Sequence, residues 1–168
     1  AQLPLTLGHE IAGIVEATGA SVTDGELGQS VVVFPWIGCR TCLACDEDRE
    51  SDCSAMRIIG IHRNGGFATH VVVEDEKFLV DIDGLDPAIV APYACSGITV
   101  YNGLLKVGLT RPDEWLAILG AGGLGLNAIA IARAMDFQNI IALDIDDAKL
   151  ESAAQMGADK TLNSTGGE

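Results

Sequence analysis

Residues 115–144 read WLAILGAGGLGLNAIAIARAMDFQNIIALD, and this stretch decides the fold of the second half of the chain. Trp115 to Leu119 is apolar and predicts a buried strand. Three residues past the end of that strand, Gly122 to Met135 carries the apolar spacing of a helix. Asn139 to Leu143 is a second strand, Asp146 to Met156 a second helix closed by Gly157, and Lys160 to Leu162 a third strand. Strand, helix, strand, helix in this order predicts a parallel sheet with right-handed crossovers.

The turn between first strand and first helix is Gly120-Ala121-Gly122-Gly123-Leu124-Gly125, a GxGxxG pattern with one added glycine. Gly120 suits a tight turn, Gly122 lets a backbone approach a pyrophosphate, and Gly125 lets the helix pack closely. The helix N-terminus adds free N–H groups and the positive end of its dipole. Asp144, nineteen residues past Gly125, ends the second strand. Its carboxylate suits the adenine ribose hydroxyls and repels a 2′-phosphate, and Ile145 follows where an arginine would favour NADP. The pattern therefore predicts NAD binding. The plainer alternative makes Asp144 an N-cap for the helix from Asp146.

Upstream the texture changes. His9, Ile11, Gly13 and Val15 alternate with Glu10, Ala12, Ile14 and Glu16, the period of a half-buried strand. Ser30 to Phe34, Phe67 to Val73 and Lys77 to Ile82 are three more strands, with Glu74-Asp75-Glu76 as a turn and Gly65-Gly66 as a flexible entry. These short strands predict a small β-barrel-like domain. Asp86-Pro87 caps a short helix through Pro92, Ser96 caps another running to about Lys106 and ended by Gly108, and Thr110 to Glu114 is a polar connection. The domain boundary is placed near Cys95, giving domains 1–95 and 96–168. Trp36 is expected in the core rather than on a pocket wall. His62 is read as a loop residue and His70 as an exposed strand residue.

Four cysteines, Cys39, Cys42, Cys45 and Cys53, stand with spacers of two, two and seven residues. One loop of this kind can wrap a single ion with four thiolates, and tetrahedral zinc in a closed structural site is the expected occupant. Disulfides and free thiols are the alternatives. Five cysteines in all fit poorly with a complete disulfide framework, and adjacent pairs bridge only in a strained loop. Asp46, Glu47, Asp48, Arg49, Glu50 and Asp52 between the last two ligands predict an exposed lobe 39–53 in which metal replaces a core.

Composition excludes more than it selects. The net charge of −14 repels phosphate backbones and anionic membranes, so neither nucleic acid nor a membrane is an expected partner. No opening apolar signal segment and no membrane-length apolar run is present, which predicts a cytoplasmic location.

Together the motifs resemble the zinc-dependent alcohol dehydrogenases of the medium-chain dehydrogenase/reductase family. The resemblance runs over nearly the whole chain: Gly8-His9-Glu10, the four-cysteine lobe, Cys95, then Gly120 to Gly125 with Asp144. It implies an α/β plus mainly-β fold, a partial GroES-like β-barrel catalytic domain followed by the first half of a Rossmann doubly wound parallel sheet. It implies His9 and Cys95 as ligands of a catalytic zinc, with Glu10 beside the ion, able to balance its charge or to ligate it transiently. Thr99 would face the nicotinamide, and Lys149 would reach the adenosine ribose unless it is an ordinary solvated lysine. Gly120, Gly122, Gly123, Leu124, Gly125, Asp144 and Ile145 would complete the NAD site. The implied reaction moves a hydride between an alcohol and NAD, giving an aldehyde or ketone.

The chain departs from the family in extent. Only eight residues precede His9, so the family's upstream cysteine ligand and proton relay are absent, and the sheet stops short of its usual six strands. An internal fragment, inactive alone and self-associating through an exposed sheet edge, is the expectation. The rival reading is a non-catalytic, zinc-stapled NAD-binding module. A zinc-free quinone reductase is disfavoured by the cysteine lobe and the Gly8-His9-Glu10 motif.

Overall fold

β1 (Ile11–Ile14) and β2 (Ser30–Val33) run antiparallel, with Ile11 opposite Val33 and Ile14 opposite Ser30. β2 then pairs antiparallel with β3 (Leu79–Asp81), so the sheet order is β1-β2-β3. Alternation sends Ile11 and Val33 into one core with Ile37, Ile59 and Phe78, while Val32 joins Ile82 and Ala94 in another. The computed structural model describes residues 3–22, 27–108 and 111–166. The connection predicted from Thr110 is therefore described only from Arg111, since Leu109 and Thr110 lie outside these residues.

Phe67 to Val73 does not form the predicted strand. Its alternation is real: Val71 and Val73 pack on the Phe78 core, and Val72 is 88% exposed. Ladder bonds are what it lacks. Gly65, Gly66 and Phe67 donate backbone N–H groups to Thr6, Gly8 and Leu7, and among the described residues no strand pairs beyond them. Gly65-Gly66 is likewise not a flexible entry. A Cβ on Gly65 would lie 2.1 Å from the Gly8 carbonyl oxygen, so glycine is required by close packing. The predicted strand over Lys77 to Ile82 shortens because Glu76–Phe78 winds into a 3-10 turn, capped by the Asp75 carboxylate on the Lys77 N–H.

α1 (Leu43–Asp46) and a 3-10 turn (Glu50–Asp52) build the cysteine lobe. α2 (Pro87–Val90) starts as expected on the Asp86 cap and tightens into a 3-10 turn at Ala91–Ala94. The chain divides into two compact units between Cys95 and Ser96.

In the second unit α3 spans Ser96–Val107, with Ser96 inside the helix rather than capping it, and Gly108 at φ +72° ends it. β4 (Leu116–Leu119), α4 (Gly123–Ala134), β5 (Ile140–Asp144), α5 (Asp147–Gln155) and β6 (Lys160–Asn163) follow. The three strands are parallel in the order β4-β5-β6. Ile118, Ala121, Ile129, Ala132, Phe137, Ile140 and Ala142 form the core under this sheet. β4 is not the buried strand the sequence predicts. Only Ile118 is buried, whereas Trp115 is 42% and Leu119 80% exposed; among the described residues β4 lies at one side of the three-stranded sheet. Trp115 instead lies under the Lys160 ammonium, 4.4 Å from the ring centroid. Trp36 is half-buried. Among the described residues no single helix is long and apolar enough to cross a membrane.

Candidate functional site

The four lobe sulfurs converge within 4.8 Å of one another, and all five cysteines are free. Cys42 Sγ stands 3.6 Å from Cys45 Sγ and 3.8 Å from Cys53 Sγ, and Cys39 Sγ stands 4.0 Å from Cys45 Sγ. Four sulfurs at ~2.3 Å from one zinc stand ~3.8 Å apart, so the donor set fits a tetrahedral ion. Local folding does the positioning. α1 carries Cys45 a turn beyond Cys42, and the 3-10 turn delivers Cys53, whose N–H donates to the Glu50 carbonyl. The Cys39 N–H donates to Cys53 Sγ, and the Thr41 hydroxyl donates to Cys39 Sγ at 3.4 Å. Those Thr41 bonds hold the Cys39 thiol down to about 6, while burial pushes Cys45 up to about 11.

His9 and Cys95 are 86 residues apart in sequence, yet His9 Nε2 lies 3.2 Å from Cys95 Sγ. A nitrogen and a sulfur on one zinc stand ~3.5 Å apart, so this pair also fits a shared ion. Gly8 sets the entry to His9. It sits at φ +98°, where its missing Cβ would press the Phe67 ring at 2.8 Å. Burial, then the Glu10 carboxylate, raise the Cys95 thiol above its ordinary range, which places Glu10 in this cluster. Glu10 itself is exposed.

In the second unit, Gly120 turns at φ +92°, a left-handed conformation suited to glycine. Gly122 is the extended N-cap of α4, with no side-chain cap and nothing within 4 Å of where a Cβ would stand. The helix start thus presents bare backbone. Gly125 has the opposite reason to be glycine: its Cβ would lie 1.8 Å from the Gly120 carbonyl oxygen. Asp144 is not the helix cap; Asp146 is, accepting from the Ala148 N–H. Asp144 Oδ2 instead accepts from the Ala121 N–H at 2.7 Å, and Oδ1 accepts from Ile145 and Asp146. These bonds, the Ala121 one foremost, hold its carboxyl below the usual range, and the Lys149 charge adds to them. A cleft of about 320 Å³ opens here, lined by Leu119, Gly120, Leu143, Asp144, Ile145 and Ser164. Its position beyond the carboxyl ends of parallel strands is where dinucleotides bind in such sheets, and the open backbone at Gly122 and Gly123 fits a pyrophosphate.

The remaining candidates are placed plainly. Thr99 is exposed on the first turn of α3, and Leu124, Ile145 and Lys149 are exposed beside or near the glycine turn. His62 is an exposed loop residue whose Nδ1 accepts from the Ile58 N–H. His70 is exposed but not on a strand, and it pairs with Glu16. Sequence reasoning missed Ser164 at the cleft and the ion pair of Lys77 with Glu50 beside the cysteine lobe. No periodic or spacing signal marks either one.

Comparison with known proteins gives concordant matches. The family model described as alcohol dehydrogenase GroES-like domain matches residues 1–84, and that described as zinc-binding dehydrogenase matches residues 123–168. A curated NAD-dependent alcohol dehydrogenase of Sulfurisphaera tokodaii is 39% identical over 98% of this chain and 47% of its own length. The crystal structure of an alcohol dehydrogenase from Aeropyrum pernix superposes with a TM-score of 0.88 at 32% identity, covering 98% of this chain and 49% of that one. A D-arabinose dehydrogenase structure from Sulfolobus solfataricus gives 0.89 at 29% identity, with 96% and 51% covered. The chain spans about half the length of the curated relatives it matches.

Proposed function

This chain belongs to the zinc-type alcohol dehydrogenases of the medium-chain dehydrogenase/reductase family, and on that premise we propose that it is the part of an NAD-dependent enzyme that carries two zinc sites and the first half of the cofactor site. The enzyme would interconvert a small alcohol and its aldehyde or ketone. The observation that carries this reading is the approach of His9 Nε2 to Cys95 Sγ at 3.2 Å, because a mere binding module has no use for a second donor pair. When bound, zinc supplies Lewis acidity to the alcohol oxygen and NAD accepts the hydride.

The chain's own residues bind and orient. His9 and Cys95 would hold the catalytic ion, with Glu10 beside it to balance charge. Gly120, Gly122, Gly123, Leu124 and Gly125 would present backbone to the pyrophosphate, and Asp144 would accept from the adenine ribose. Ile145, exposed next to Asp144, puts an apolar side chain where an arginine would favour a 2′-phosphate, and the Asp144 carboxylate would repel that group. Lys149 would reach the ribose from α5, and Thr99 would face the nicotinamide. Cys39, Cys42, Cys45 and Cys53 would hold a structural zinc. Cysteines unpaired by disulfides suit a reducing cytoplasm.

Two donors are one short of the three a catalytic zinc takes. The 168-residue chain alone is therefore expected to hold one tight zinc, to bind NADH in preference to NADPH, and to turn over simple alcohols only at background. Elemental analysis, fluorescence titration with both cofactors and an alcohol-plus-NAD assay with added zinc test this. Equal affinity for the two cofactors, or no bound zinc, would refute the reading.

A further inference from the structure

Glu50 is the one buried charged side chain among the described residues, at 7% exposure. Within 39–53 it shares burial only with Cys45 and Cys53. A buried carboxylate is costly unless paired. Its partner, Lys77, comes from outside the lobe, on the 3-10 turn before β3. Lys77 also stands 5.2 Å from the centroid of the Phe78 ring and 3.8 Å from Asp48. Arg40, next to the first ligand, lies over the same ring at 5.5 Å and pairs with Asp75 at 3.2 Å. Phe78 is 1% exposed and stacked on Phe34, so the anchor is part of the core.

The contact runs on to the sulfurs. The Glu50 carbonyl accepts from the Cys53 N–H, and Cys53 Sγ in turn accepts from the Cys39 N–H. A Cβ on Gly38 would meet Cys45 Sγ at 2.4 Å and Glu50 Cγ at 2.8 Å, so the Glu50 stem and a ligand sulfur share one glycine-sized space. Charge points the same way. Four thiolates around a divalent ion leave a net negative centre, and the lobe adds five acids against Arg49 between Cys45 and Cys53.

We propose that Lys77 is a positioning residue for the lobe zinc: through Glu50 it fixes the turn that presents Cys53 and so sets how long the metal is retained. The inference rests on the lobe holding zinc. The test uses the zinc-loaded 168-residue chain, with release followed in excess chromogenic chelator. Outer-shell partners typically change metal affinity 10–100-fold, so Lys77→Met is expected to release zinc about tenfold faster or more. Lys77→Arg restores slow release. Arg49→Gln removes one positive charge from exposed pairs within the lobe and leaves release within about twofold of the parent. If Lys77→Met fails to fold, Glu50→Gln carries the same tenfold expectation. Release from Lys77→Met or Glu50→Gln at the parent rate overturns the proposal. So does equal acceleration by Arg49→Gln, which would make net charge rather than this contact the cause. A parent chain without lobe zinc would sink the underlying reading instead, and a zinc-loaded parent with insensitive variants would sink this inference alone.

Discussion

The two ends of the glycine turn are glycine for different reasons, and substitution separates them. At Gly125 an added Cβ would lie 1.8 Å from Gly120 O and 2.9 Å from Gly120 C. Ordinary contact lies near ~3.5 Å, so the start of α4 and the turn must part by roughly 1.5 Å. The obstacle is backbone and cannot rotate away. Overpacking of this kind costs about 1–3 kcal/mol, and the upper end applies because the Gly120 N–H bond to Leu143 O is strained with it. Alanine returns at most about 1 kcal/mol of helix propensity, leaving a net loss of ~2 kcal/mol for Gly125→Ala. In a unit of this size that lowers the melting midpoint by roughly 10 °C. At Gly122 the backbone is extended and the Cβ space is open, so Gly122→Ala costs no more than about 1 kcal/mol as a poorer N-cap. Its methyl stands where the pyrophosphate would approach, and NADH affinity is expected to fall about tenfold or more. Thermal melts and NADH titrations on both variants make the comparison. Gly125→Ala melting with the parent, or Gly122→Ala losing as much stability as Gly125→Ala, would refute the assignment.

Other outcomes follow from the same geometry. Chelation should strip the lobe and abolish amide-exchange protection across Cys45 to Cys53, since Leu43 is 69% exposed and the lobe has no apolar core; retained protection would refute a metal-held lobe. Asp144→Asn removes a charge-assisted acceptor, a loss of about 1.5–3 kcal/mol, so NADH should bind ten- to a hundredfold more weakly with less discrimination against NADPH, by fluorescence titration. The Ile140 N–H first, then Arg133, hold Asp159 below the usual aspartate range. That group's stabilisation is therefore full above the unfolded value of about 3.9 and is lost as pH falls through the lower folded value. Asp159→Asn should flatten this part of the acid-unfolding curve followed by circular dichroism.

What could be read from the sequence tracks how local each cause is. The second unit carries its signals within each element: the Asp146 cap, the glycine turn, the stop at Gly157. Its strands and helices accordingly fall within a residue or so of expectation. The first unit depends on distant partners. Phe67 to Val73 alternates like a strand, yet a ladder needs a neighbour that no periodicity announces. Gly65 reads as loose in isolation and is tight only because the Gly8 carbonyl, 57 residues earlier, occupies its Cβ position. The cysteine cluster was legible because one short loop holds all four sulfurs, whereas Lys77 meets Glu50 across 27 residues with no pattern to mark it.

The same distinction divides the two proposed zinc sites by what holds them. The lobe sulfurs sit on a four-residue helix and a three-residue turn, elements too short to persist unaided, so the ion and the Lys77–Glu50 contact must supply the order. His9 and Cys95 are instead placed by ordinary core packing. β1 pairs with β2, and the turn ending at Cys95 buries Ala94 against Val32 and Ile82. Removing metal should therefore dissolve the lobe while leaving the His9–Cys95 pair in register. That asymmetry suits the proposed roles: a structural ion would order its own loop, whereas a catalytic ion would need donors held by a scaffold that does not depend on it.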